Sequence, residues 1–157
     1  MRIIGIDPGT AIVGYGIADV ENGECELVTS GSVQTDKNLP DSERLLEIQK
    51  DLSEIITKYK PDTASVEKLF FFKNQKTIIS VAQSRGVILA TLAQFGINIF
   101  EYTPLQIKLT ITGYGKATKE DVADMVKRQI KYNHFPKLDD TADAIAMAVC
   151  HAKISGG

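Results

Sequence analysis

Four acidic side chains of this chain stand at the edges of apolar segments, where an ionised carboxylate is costly without a partner. Asp7 closes the run Ile3-Ile4-Gly5-Ile6, Glu67 closes Ala64-Ser65-Val66, and Asp140 and Asp143 open the largely apolar stretch from Ala142 to Ala152. Charge at the margin of a core is held by a metal or by a base. Hard carboxylate oxygens with no His or Cys cluster beside them select Mg2+ or Mn2+ over Zn2+. Two such ions serve phosphodiester hydrolysis, one lowering the pKa of the attacking water and the other stabilising the leaving oxygen. Asp7 is the expected bridging ligand. Each residue alone also has a plainer role: Asp139 or Asp140 as a helix cap, Asp143 as a first-turn dipole partner, Glu67 in an ion pair with a lysine, Asp7 in an Asx-turn. Their joint occurrence favours a cation site.

The elements that must deliver these groups follow from periodicity and turn residues. Residues 2–7 and 13–20 read as strands joined by Asp7-Pro8-Gly9-Thr10, an order that suits a type II turn, and 24–34 as a third. Connections this short make the three antiparallel. Leu45, Ile48, Leu52, Ile55 and Ile56 predict an amphipathic helix over 41–59, capped by Asp41 or Ser42 and stopped by Pro61. Thr63–Glu67 then reads as a buried strand, 74–95 as a long helix ended by Gly96, and 97–102 as another strand. Pro104 opens a short helix broken at Gly113 and Gly115. Thr118 caps one running to about Ile130, 131–139 is a loop, and a last helix runs from Asp140 to about Ala152. The fold class is α/β: a mixed five-stranded sheet, three antiparallel strands and then two parallel, flanked by helices. Asp7 and Glu67 fall at C-terminal strand ends, where open α/β sheets place their chemistry.

With 157 residues the chain is expected to form one domain over 1–153 with a flexible tail at 154–157. No apolar run approaches the roughly 20 residues of a membrane span, and no signal-peptide layout opens the sequence. Cys25 and Cys150 lack metal-ligand spacing, so a cytoplasmic protein with reduced thiols is expected. His134 and His151 are expected at the surface or in packing. The net charge of −2 is unevenly spread: residues 1–65 hold 6 Lys/Arg against 12 Asp/Glu, whereas residues 66–137 hold 11 against 5. A basic middle segment is compatible with a face that meets phosphates.

Ile4-Gly5-Ile6-Asp7-Pro8-Gly9, followed by Gly14-Tyr15-Gly16, resembles the opening of the RuvC family of bacterial Holliday-junction resolvases, within the RNase H-like superfamily. The likeness continues through Val66-Glu67 with Phe70, Gln83-Ser84-Arg85-Gly86, Tyr102-Thr103-Pro104, Ile107-Lys108, Gly113-Tyr114-Gly115-Lys116-Ala117, Lys119 and Asp140-Thr141-Ala142-Asp143-Ala144. It is collinear over nearly the whole chain. It implies an RNase H-like fold, a homodimer, four-way junction DNA as substrate, Mg2+-dependent nicking of two opposed strands, and association with the RuvA–RuvB branch-migration complex. Asp7, Glu67, Asp140 and Asp143 fall on the family's metal-binding catalytic positions, with Mn2+ able to substitute for Mg2+. Spacing alone leaves Asp139 and Asp140 equivalent, since offsets of three and four share a helix face with Asp143. The family's Asp-x-x-Asp pattern selects Asp140 and leaves Asp139 as a cap.

Leu69-Phe70-Phe71-Phe72 suits neither a helix face nor a strand alternation, so at least one of these rings is expected in solvent, stacking on an unpaired base. The resemblance points to Phe70, with Phe71 a neighbour in the same role. It also makes Lys108 and Lys119 phosphate contacts near the cut, and Lys73, Lys76, Arg85 and Lys116 extend the basic surface. A competing likeness, of Ile-Asp-Pro-Gly-Thr to the phosphate-binding turn of the actin and sugar-kinase superfamily, fails on length, because those proteins close two lobes around a nucleotide.

Overall fold

The structure, a computed structural model, describes residues 1–9, 11–68, 75–137 and 139–156, together with the backbone but not the side chains of Gln75 and Lys76. Strands β1 (Arg2–Asp7), β2 (Ile12–Glu21) and β3 (Glu24–Gln34) form the antiparallel meander. Asn22 and Gly23, both at positive φ, turn β2 into β3 as a two-residue hairpin requires. After helix α1 (Asp41–Tyr59) come β4 (Thr63–Glu67), α2 (Gln75–Gln94) and β5 (Asn98–Tyr102). Helices α3 (Pro104–Thr112) and α4 (Lys119–Gln129), a two-residue strand β6 (Ile130–Lys131) and helix α5 (Asp139–Ser155) complete the chain. The sheet order is β5-β4-β1-β2-β3-β6, with β4 parallel to β1 and β5 parallel to β4.

Helix α5 departs from the sequence expectation at both ends, since Asp139 is its first residue and not its cap, and it continues through Ser155 into the expected tail. Three further details differ. A sixth strand exists because Ile130 and Lys131 continue past α4 to pair with Cys25 and Glu26, and the Lys131 ammonium reaches Glu24 at 2.8 Å. Helix α1 begins at Pro40 without a side-chain cap, although Asp41 and Glu43 still offer negative charge to its first turn. The turn after Asp7 is not type II, since Gly9 does not adopt positive φ. A Cβ there would lie 2.1 Å from the Ile12 carbonyl oxygen, so Gly9 serves a close approach instead. Thr10 lies outside the described residues.

Two cores flank the sheet. Ile48, Leu52 and Ile56 of α1 and Ile88 and Leu92 of α2 pack on one face with Ile4, Ile6, Ala64 and Val66. On the other face α5 lies between the sheet and the α3–α4 pair, which explains why Ala144 through Ala152 are all buried. This helix comes unusually close to the sheet. A Cβ on Gly5 would stand 2.0 Å from the Ala144 carbonyl oxygen, and one on Gly14 would stand 2.1 Å from that of Asp140. Thr141 donates its hydroxyl proton to the Gly31 carbonyl (3.2 Å) and Ser65 to that of Met147 (2.8 Å), pinning α5 to β3 and β4. Among the described residues no helix is long and apolar enough to cross a membrane.

Candidate active site

Asp7 and Glu67 end adjacent parallel strands side by side, each one step beyond Ile6 and Val66, the last residues that β1 and β4 pair with each other. The close seating of α5 brings its first turns over the same strand ends. The result is a cavity of about 430 Å3 lined by Asp7, Glu67, Asp140 and Asp143, with Lys108 and Lys119 on its α3 and α4 sides. All four carboxylates are half-buried. Asp139, in contrast, is exposed, belongs to the first turn of α5 and does not line the cavity.

Electrostatics make this arrangement expensive without positive charge. Burial first, then the charge of Glu67 and Asp143, pushes the Asp7 carboxyl up to about 9. Burial also raises Glu67, against the lowering effect of its hydrogen bond with Asp7 and of Lys119. Asp143 is raised by burial and lowered by Lys119, whose ammonium stands 3.3 Å from its carboxylate. Burial and mutual repulsion therefore both push the Asp7–Glu67 pair toward its protonated form. A divalent cation removes the need for that proton, and an all-oxygen donor set matches Mg2+ or Mn2+. Among the described residues no three His, Cys, Asp or Glu side chains form a ready-made metal cluster, so the carboxylates line the cavity without converging on one point.

The other expected residues separate into groups. Lys119 begins α4 after the Thr118 capping box, and Lys108 projects from the middle of α3, which opens on the Thr103 capping box, so both cations are delivered by capped helices. Lys116 is exposed in the α3–α4 connection and does not line the cavity. Arg85 lines it but is ion-paired with Glu101. Phe70, Phe71 and Lys73, and the side chain of Lys76, lie outside the described residues. His134 is exposed. His151 is buried in packing, with Nδ1 2.6 Å from the Tyr102 hydroxyl and its ring stacked on Phe100. Both cysteines are buried and free. Sequence reasoning missed the positioning set: the close approaches at Gly5 and Gly14, the anchors Thr141 and Ser65, and the pairing of Arg85.

A family model for crossover junction endodeoxyribonuclease RuvC matches residues 3–151. The chain is 49% identical to the crossover junction endodeoxyribonuclease RuvC of Fusobacterium nucleatum, over 99% of this chain and 82% of that protein. It is 52% identical to that of Prochlorococcus marinus strain MIT 9312, over 95% and 94%. Among solved structures it superposes on Thermus thermophilus RuvC in complex with a Holliday junction substrate, with a TM-score of 0.92 and 30% identity over 99% of this chain and 94% of the other. The yeast mitochondrial Holliday junction resolvase Ydc2, at 11% identity and a TM-score of 0.75, shares the fold.

Proposed function

The chain belongs to the RuvC family of crossover junction endodeoxyribonucleases, and on that premise we propose that Asp7, Glu67, Asp140 and Asp143 are the residues with which it cuts. It is a Holliday-junction resolvase, a metal-dependent endonuclease that binds four-way junction DNA and acts in recombination and repair. The observation that carries the assignment is that these four carboxylates, from β1, β4 and α5, line one cavity together with Lys108 and Lys119.

Asp7, Glu67, Asp140 and Asp143 would hold two Mg2+ ions, with Mn2+ able to substitute. When bound, such ions would lower the pKa of the attacking water and stabilise the leaving oxygen. The exposure of Asp139 supports Asp140 as the partner of Asp143. Lys119 keeps its proton more tightly than a free lysine because Asp143 faces it, so it remains a cation for the phosphate at the cut. Lys108 meets the same strand from α3. Lys116, Lys73 and Lys76 extend the backbone contacts, and Phe70 and Phe71 stack on bases opened at the junction centre.

Paired incision of opposed strands needs two symmetric sites, hence a homodimer. The outward face of α2 supports it: Ile79 (60% exposed), Ala82, Gly86, Ala90 and Ala93 recur at helical spacing on its solvent side. Association with RuvA–RuvB and a cytoplasmic location belong to the same proposal and rest on family membership.

A nicking assay on a labelled four-way junction, with Mg2+ and with EDTA, tests the reading. Cutting of opposed strands with Mg2+ alone is expected. Undiminished cutting in EDTA, or equal cutting of linear duplex, would overturn it.

A further inference from the structure

Arg85 stands at the cavity with its charge already committed. Its side chain is only 16% exposed, and its Nη2 pairs with the Glu101 carboxylate on β5. Its Nε donates to the backbone carbonyl of Glu67 at 3.3 Å. The N–H of the same peptide unit, that of Lys68, donates to the Tyr102 carbonyl at 2.9 Å, and Tyr102 is the residue in register with Glu67 across β4 and β5. The Glu67–Lys68 peptide is therefore gripped at both its oxygen and its nitrogen, where β4 leaves the sheet and Glu67 must point into the cavity.

Lys119 offers the contrast. Its side chain is 77% exposed, and its charge acts directly on the carboxylates of Asp143, Asp7 and Glu67. Among the described residues, the side chains that act on the Glu67 carboxyl are Asp7, Asp143 and Lys119. Arg85 reaches Glu67 through the backbone. A guanidinium suits that task, because its planar fork serves two acceptors in fixed directions, which a lysine ammonium does not. Turning it toward a phosphate would release both the Glu67 carbonyl and Glu101.

We propose that Arg85, braced by Glu101, is a positioning residue that fixes the Glu67–Lys68 peptide and so aims the Glu67 carboxylate into the cavity, and that it is not a phosphate-binding cation. The inference rests on the reading of Glu67 as a cation ligand.

Arg85→Gln, Glu101→Gln and the exchanged pair Arg85→Glu/Glu101→Arg test it, with Glu67→Gln measured alongside. Three quantities are read: the slope of log affinity for a four-way junction against log[salt] in EDTA, the Mg2+ concentration giving half-maximal nicking, and the rise in Tm on adding Mg2+. Both single variants should keep the wild-type salt slope yet need about 10-fold or more extra Mg2+, as second-layer partners of metal ligands do, and the exchanged pair should recover part of that loss. Glu101→Gln is decisive, and carries the test if Arg85→Gln folds poorly. A phosphate-binding Arg85 would be freed by that change, tightening junction binding at an unaltered Mg2+ requirement. A salt slope lower by about 0.9 in Arg85→Gln, or an unaltered Mg2+ requirement in Glu101→Gln, overturns the proposal. If Glu67→Gln alone loses its Mg2+ response, only the positioning role fails. If Glu67→Gln keeps it, the underlying reading of Glu67 fails.

Discussion

Lys119 Nζ lies 3.3 Å from the Asp143 carboxylate, joining the start of α4 to the start of α5 at the edge of the carboxylate cavity. With 77% of the lysine side chain exposed, solvent screens this pair, and an exposed pair contributes only about 0–1 kcal/mol to stability. Its value lies in placing a fixed cation beside a site that receives a phosphate. Lys119→Gln should therefore leave the urea midpoint nearly unchanged. It should lower junction nicking by about 100-fold or more and reduce the salt slope of binding by about 0.9. Loss of folding with no change in slope would mean that Lys119 is structural.

Asp7→Asn should bind a four-way junction and fail to nick it with Mg2+ present. The same variant tests the electrostatics. In the folded protein the Asp7 carboxyl is raised from 3.8 to about 9 by burial and by Glu67 and Asp143, so between those values the native state binds the proton that the unfolded chain releases. Its contribution to stability is complete below about pH 4 and is lost as pH rises toward 9. In EDTA, wild-type stability should fall with rising pH over this window more steeply than that of Asp7→Asn. At pH 8, Mg2+ should raise the wild-type Tm and scarcely move that of the variant. Parallel pH profiles, or equal Mg2+ responses, would remove Asp7 from the cation site.

Gly5→Ala should damage both fold and activity. The added methyl would stand 2.0 Å from the Ala144 carbonyl and 2.7 Å from the Ala148 nitrogen, contacts that backbone can relieve only by lifting α5 from β1. Overpacking of this kind costs about 1–3 kcal/mol. Because α5 carries Asp140 and Asp143, nicking should fall further than the loss of folded protein explains. Wild-type activity at reduced stability would show that the site tolerates movement of α5.

These glycines mark where sequence reasoning stops. The ends of β1 and β4 were legible because apolar runs terminate at Asp7 and Glu67, and the bounds of α1 followed from Leu45, Ile48, Leu52 and Ile56. What one strand cannot reveal is which helix will cross it. Gly5 and Gly14 read as strand residues until α5 lies on them, and Arg85 reads as a free cation until β5 brings Glu101 to it. Strand β6 was illegible for a similar reason, since two residues have no periodicity and pair only because Cys25 and Glu26 wait beside them. Spacing alone leaves Asp139 and Asp140 equivalent; the family's Asp-x-x-Asp pattern selects Asp140, and with α5 seated on the sheet it is Asp140 that lines the cavity.

Gly86 provides the test of the dimer. A glycine inside a helix costs about 1 kcal/mol relative to alanine, and among the described residues nothing lies within 4 Å of a Cβ built there. No contact among the described residues explains the missing side chain, whereas a second α2 packed across Ile79, Ala82, Ala90 and Ala93 would need the space. Gly86→Leu should then fold, because position 86 is exposed and a Cβ there meets no described atom, but should sediment as a monomer at concentrations where the wild type is dimeric. Its nicks should fall on single strands of the junction, uncoupled, because each carboxylate site remains intact while its partner is lost. A Gly86→Leu protein that stays dimeric and still cuts opposed strands together would place the dimer contact on another face. A wild-type protein that sediments as a monomer on the junction would remove the symmetric-site argument altogether.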